Sequence, residues 1–259
     1  DVVMNNSPID IDKLIEGTNE ILTANRNSLQ LFDMLHSMRQ FDDLTYVHSV
    51  NVALIASILG QWLKFSEKDI RILTISGLLH DIGKIMIPNE ILTKPGKLTV
   101  AEYNIMKQHV NFGYEKVKNQ NIDIRIKEAC LLHHEKCDGT GYPFGLKSDH
   151  IPAVAKIIAI ADVYDAMTSA RVYRGALCPF EVIDTMYKDA FTKFEPEYIL
   201  PFLKNVASSY INNDVRLSDG RIGKVVLINE NALSLPIVQC EDEFIDLSKT
   251  RGLTVSAIL

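Results

Sequence analysis

Apolar residues at helical spacing run from Asp10 to Met38, through Leu14, Ile15, Ile21, Leu22, Leu29, Leu31, Phe32 and Leu35. This pattern predicts an N-terminal helix. An apolar-rich stretch with small residues follows from Val47 to Leu63. Ser66, with Asp69 three positions on, then fits an N-cap with an acidic third residue. The helix starting there carries Ile70, Leu73, Ile75, Leu78 and Leu79 into the pair His80-Asp81. Pro88 and Lys94-Pro95-Gly96-Lys97 mark loops. Thr99 and Glu102 form a second candidate capping box, opening a helix expected to run to Lys118. Further helices are expected over Arg125–His134, Val154–Ser169, Glu181–Phe191 and Tyr198–Tyr210, with Val154–Ser169 apolar on several faces, as a buried central helix would be.

The texture changes after about Asn212. Val215-Arg216-Leu217, the turn Ser218-Asp219-Gly220 and the run Gly223 to Ile228 predict a hairpin. Pro236-Ile237-Val238 and Thr254-Val255 predict further short strands. The chain thus divides into an N-terminal helical segment (1–40), a helical body (41–211) and a small β-rich extension (212–259).

Composition narrows the class. Apolar residues are 47% of the 259 and charged residues 23%, a globular balance. A formal net charge of −6 argues against a surface for polymeric nucleic acid. A small anionic ligand remains compatible with it, since a local cation can override the global field. Cys130, Cys137, Cys178 and Cys240 are irregularly spaced and give neither a zinc-finger pattern nor a disulfide framework. No apolar run nears the ~20 residues of a membrane span, and no signal peptide is visible. A cytoplasmic location is expected. The chain opens on Asp1 rather than Met, which leads us to expect a fragment with a sensor or anchor upstream.

The candidate chemistry lies in the histidines and acids. His48, His80, His109, His133 and His134 each fall within or at the end of an apolar helical stretch, where a lone imidazole would ordinarily be structural. Several gathered by helix packing suit a transition metal. Asp162 and Asp165, at i and i+3 on an otherwise apolar helix, are costly without cations. Lys84 lies at i+4 from His80 and i+3 from Asp81, so it can cover the same face, with a phosphate between it and any metal. Arg171 and Arg174 suit bidentate phosphate contacts, with ion pairs to Asp165 the competing reading. Two apparent motifs fail. His134-Glu135-Lys136-Cys137-Asp138 lacks the second histidine of a zinc-protease helix, and the loop Gly139 to Gly145 follows a helix rather than a strand, so it is no dinucleotide fingerprint.

These residues resemble the HD superfamily of metal-dependent phosphohydrolases: His80-Asp81, preceded by His48 and followed by His109, His133-His134 and Asp162. The segment His133-His134-Glu135-Lys136-Cys137-Asp138-Gly139-Thr140-Gly141-Tyr142-Pro143 is similar to the HD-GYP subfamily, whose hallmark is the Gly141-Tyr142-Pro143 triplet. The likeness covers roughly Asp42 to Pro196.

The resemblance implies a mostly α fold, a helical HD-type bundle with a binuclear metal centre, here carrying a small C-terminal β appendage. It implies metal-activated water hydrolysing cyclic di-GMP to pGpG or GMP, with iron or manganese as the ions. His48, His80, Asp81, His109, His133, His134 and Asp162 match ligand positions. Asp81 would bridge, with His48, His80 and Asp162 completing one site and His109, His133 and His134 the other. Asp81 and Lys84 would carry the chemistry, and Lys84, Arg171 and Arg174, with Asp165 beside them, match positions that meet the substrate. Gly141, Tyr142 and Pro143 would order the loop.

Departures bear on these expectations. Leu44 stands where three-metal members have glutamate, so two ions are expected. Lys136 replaces the usual arginine, and Phe194-Glu195-Pro196 lengthens an acid. Rival readings are a phosphodiesterase for cyclic GMP-AMP, a non-catalytic cyclic-dinucleotide-responsive interaction module, and a structural helical protein. A homodimer through the N-terminal helix, an upstream sensor domain and a diguanylate cyclase are the expected partners beyond substrate. No base-reading residue is identifiable from sequence.

Overall fold

The computed structural model describes residues 44–169 and 176–259, with side chains from residue 47 in the first block. The N-terminal helix expected over 10–38, the side chain of Leu44, and both Arg171 and Arg174 lie outside what is described.

The apolar stretch of the sequence forms α1, Leu44–Trp62. Val52 through Ala56 are fully buried, so this helix is wrapped on all sides rather than on one stripe. Ser66 caps α2, Glu67–Leu79, its hydroxyl accepting from Asp69 N as the pattern predicts. A 3-10 turn, Ile82–Met86, and the short α3, Asn89–Leu92, follow.

The helix expected over Thr99–Lys118 divides in two: α4, Val100–Met106, and α5, His109–Val117. At the break His109 Nδ1 donates to Met106 O at 2.8 Å, and Gln108 N closes a tight turn onto Ile105 O. A side chain that competes for a backbone carbonyl ends the regular ladder there. The capping box at Thr99 and Glu102 forms in full.

α6 spans Ile124–Leu132 and α7 spans Ala153–Thr168. α7 is the expected buried helix and packs on α1, α2 and α6. α8, Pro179–Asp189, and α9, Pro196–Ser209, each begin with proline at a position that needs no N–H donor.

The C-terminal strands are β1 Asp214–Leu217, β2 Ile222–Leu227, β3 Ile237–Cys240, β4 Glu243–Asp246 and β5 Val255–Ile258. They form an antiparallel sheet of order β4-β3-β2-β1-β5, with the predicted hairpin turning at Gly220 in the left-handed region. β4 escapes the sequence pattern because only Phe244 and Ile245 are apolar in it, between Glu243 and Asp246. Val215, Leu217, Val225 and Val238 enter the same buried cluster as Phe180, Phe202 and Val206 of α8 and α9. The boundary near residue 212 therefore marks a change of secondary structure within one continuous core.

Candidate metal centre

α2 ends at Leu79, so His80 is its C-cap and Asp81 stands at φ −98°, ψ 8° before the 3-10 turn. The sequence pattern put this pair on a continuous helix. Leaving the helix there aims Asp81 into the space among α1, α5, α6 and α7. Gly83 permits this: a Cβ on it would fall 2.0 Å from His109 O and 2.4 Å from Gly113 N. Only glycine lets the turn lie so close against α5.

Asp81 is the meeting point. Its Oδ1 lies 3.2 Å from His109 Nε2 and 3.8 Å from His133 Nε2, while its Oδ2 lies 3.2 Å from His80 Nε2 and 3.7 Å from His48 Nε2. His48 Nε2 is also 3.1 Å from Asp162 Oδ1, and His134 Nδ1 is 3.8 Å from Asp162 Oδ2. Two ligand-sized groups result: Asp81 with His109, His133 and His134, and His48 with His80 and Asp162.

The outer nitrogens explain how the rings are aimed. His80 Nδ1 donates to Gly77 O at 2.7 Å, His109 Nδ1 to Met106 O at 2.8 Å, and His133 Nδ1 to Ala129 O at 3.0 Å. A carbonyl can only accept, so in each ring the neutral form leaves Nε2 as a bare lone pair. Two such lone pairs, on His109 and His133, face each other at 3.4 Å. His80 Nε2 and Asp81 Oδ1 are buried without a hydrogen-bond partner. Converging acceptors that lack donors are what a divalent cation would satisfy, and nitrogen and oxygen ligands suit a transition ion. The residues present fit the group that the sequence implies.

Electrostatics agree with this. Burial alone would depress the His48 pKa, but hydrogen bonds to Asp162 and Asp165 outweigh it and raise it to about 9. Burial alone would raise Asp81, yet His80 and the Lys84 ammonium hold it well below the usual carboxylate range. Burial pushes His133 well down and, with Asp162 opposing, lowers His134 to about 4.

Three further residues complete the surroundings of the centre. Asp165, expected at substrate, is 1% exposed; its Oδ2 accepts from His48 Nδ1 at 2.7 Å and its Oδ1 from Asn51 at 2.9 Å. A buried carboxylate behind an imidazole orients that ring. This geometry suits Asp165 to positioning His48. Lys84 Nζ donates to Asp81 Oδ2 at 2.5 Å, which brings the ammonium to the centre.

Glu135 received no role from sequence. It is buried, and its carboxylate accepts from the backbone N–H groups of Phe144, Gly145 and Leu146 at 2.7, 3.1 and 2.9 Å. It thereby fastens the glycine-rich loop to the residue after His134. Gly141 lies against the same backbone, where a Cβ would meet Glu135 Cα, His134 O and Lys136 N, each at 2.5 Å. The Tyr142 ring then packs 4.7 Å from that of His134. The available signal was a glutamate entering a loop whose amides needed acceptors.

A helical body that gathers five imidazoles and a second carboxylate around Asp81 defines a class of proteins built around metal ligation. The chain belongs to the HD domain family, whose model matches residues 15–198. It is 36% identical over 203 residues to a cyclic di-GMP phosphodiesterase of Pseudomonas aeruginosa, covering 78% of this chain and 49% of that one. It is 32% identical over 188 residues to a 3'3'-cGAMP-specific phosphodiesterase of Vibrio cholerae, covering 71% and 36%. The chain thus spans about half or less of these relatives' lengths. Its fold is similar to that of Bd1817, an HDG"Y"P protein from Bdellovibrio bacteriovorus, with a TM-score of 0.52 and 19% identity over 74% of this chain and 69% of that one. Among the described residues no helix is long and apolar enough to cross a membrane.

Proposed function

We propose that this chain is a metal-dependent phosphodiesterase that hydrolyses cyclic di-GMP to pGpG or GMP. The observation that carries the reading is the pair of ligand groups meeting at Asp81, with imidazole Nε2 atoms aimed inward by anchored Nδ1 atoms. Relatives whose names specify cyclic dinucleotide phosphodiesterases support the substrate class.

His109, His133 and His134 would hold one ion and His48, His80 and Asp162 the other, with Asp81 shared. Iron or manganese suits this mixed set. Ions so held supply Lewis acidity at a phosphoryl oxygen and lower the pKa of water to yield a nucleophile at neutral pH. The chain's residues do the rest. Asp165 fixes the tautomer and direction of His48. Lys84, partly exposed beside Asp81, would hold a non-bridging phosphate oxygen and help neutralise the leaving group. Arg171 and Arg174 would clamp phosphate. Glu135 fixes the loop that carries Tyr142 against His134. On this reading the chain works in the cytoplasm, with a sensor domain or a diguanylate cyclase as partner. A homodimer would form through the N-terminal segment.

Cyclic GMP-AMP is the second reading, favoured by the Vibrio cholerae relative. Product chromatography with either metal supplied decides: cyclic di-GMP consumed faster than cyclic GMP-AMP supports the first reading, and the reverse order replaces it with the second. No turnover of either overturns both.

A further inference from the structure

Beside the metal centre, α4 and the glycine-rich loop form a corner that neither the ligand set nor the expected phosphate contacts use. α4 buries none of its side chains, yet it is held at its start by the capping box and by Lys94 Nζ, which donates to both Glu102 oxygens at 2.8 and 2.6 Å. From this helix Tyr103 stands 47% exposed, its ring centroid 6.5 Å from that of Tyr142 at 82°. Lys107, one turn on, places Nζ 5.3 Å from the Tyr103 ring and 6.0 Å from the Tyr142 ring. Among the described residues no carboxylate pairs with Lys107, so its ammonium keeps its donors while the rings hold it. The corner borders the centre directly: Tyr142 packs on His134, and its ring lies 6.5 Å from that of His109, two residues after Lys107.

The half-exposed Tyr103 ring beside the Lys107 ammonium fits a purine base. Stacking on an aromatic ring accepts any base. The ammonium distinguishes among them, because guanine offers the O6 and N7 acceptors side by side where adenine replaces O6 with an amino donor. We propose that Tyr103 and Lys107 form a guanine-binding corner, Tyr103 stacking on the base and Lys107 donating to its O6 and N7. The inference rests on the phosphodiesterase reading for the identity of the molecule that brings the guanine. It supplies the base-reading contact that the sequence alone does not reveal.

The test is equilibrium binding of GMP and AMP to the metal-loaded chain and its variants, with circular dichroism to confirm the fold. The wild type should prefer GMP by about tenfold. Lys107→Met should bring that preference close to one, and Lys107→Arg, which keeps the charge and the donors, should retain it. Tyr103→Ala should weaken both nucleotides by about tenfold with their ratio kept, and Tyr103→Phe should bind as the wild type does. An unchanged preference in Lys107→Met, or unchanged binding in Tyr103→Ala, overturns the corner. A chain that turns over cyclic di-GMP but fails this binding test loses only the corner. A chain that turns over no cyclic dinucleotide loses the phosphodiesterase reading, while the GMP preference still tests the corner.

Discussion

Asp165 Oδ2 accepts from His48 Nδ1 at 2.7 Å, which leaves His48 Nε2 directed at Asp162 and Asp81. The pair links a carboxylate on α7 to a candidate ligand on α1. Removing such a partner typically weakens metal binding by roughly 10- to 100-fold, because the ring loses both its orientation and its basicity. Asp165→Ala should therefore weaken one of two metal affinities by that factor in a chelator-competition titration. Equal loss at both sites, or at neither, contradicts the pairing.

Glu135 makes a separate prediction because its three amide donors leave no place for an NH2 group. Glu135→Gln turns one acceptor towards those donors as a donor itself. Leaving buried amides unsatisfied costs about 1–3 kcal/mol. The denaturant midpoint should fall accordingly, and limited proteolysis should cut within residues 139–147 sooner than in the wild type. Unchanged stability and cleavage would remove the loop-anchoring role.

Gly83 tests the geometry of the centre. A Cβ there meets backbone at 2.0 and 2.4 Å, so Gly83→Ala must push the 3-10 turn away from α5. Asp81 and His109, now 3.2 Å apart, should separate. The variant should bind metal at the Asp81 group at least tenfold more weakly, about 1.4 kcal/mol. Wild-type affinity in a folded variant would show that the close approach is dispensable.

Proton release follows from His48. Its pKa is raised from 6.5 to about 9, so the metal-free ring is protonated at pH 7. Ligation needs the Nε2 lone pair, so that proton must leave when an ion binds. His134, lowered to about 4, is already neutral and adds none. Calorimetric titrations in buffers of different ionisation heat should report about one proton released per chain at pH 7. The apparent affinity should climb as pH rises and level off above about 9. A pH-independent affinity would contradict a protonated His48.

Much of the fold is legible in the sequence because local chemistry agrees with the packing. Ser66, Thr99 and the Asp219-Gly220 turn each act where their patterns predict. The seven ligand candidates come from the family resemblance, which the imidazoles and carboxylates on apolar helices first prompt. What escapes the sequence is set by tertiary contact. The break before His109 depends on its side chain taking a carbonyl, and the exit from the helix at Asp81 depends on Gly83 meeting α5. Asp165 reads as a substrate contact until burial places it behind His48, and Glu135 has no role until the loop amides close around it.

Metal-dependent hydrolysis centred on Asp81 is the central proposal. Its most direct test is cyclic di-GMP turnover, followed as manganese or ferrous iron is titrated anaerobically into chelator-treated protein. Turnover should be absent at the start, rise with added ion and saturate near two equivalents per chain. Full turnover in the chelated protein, or none at saturating metal, would contradict it.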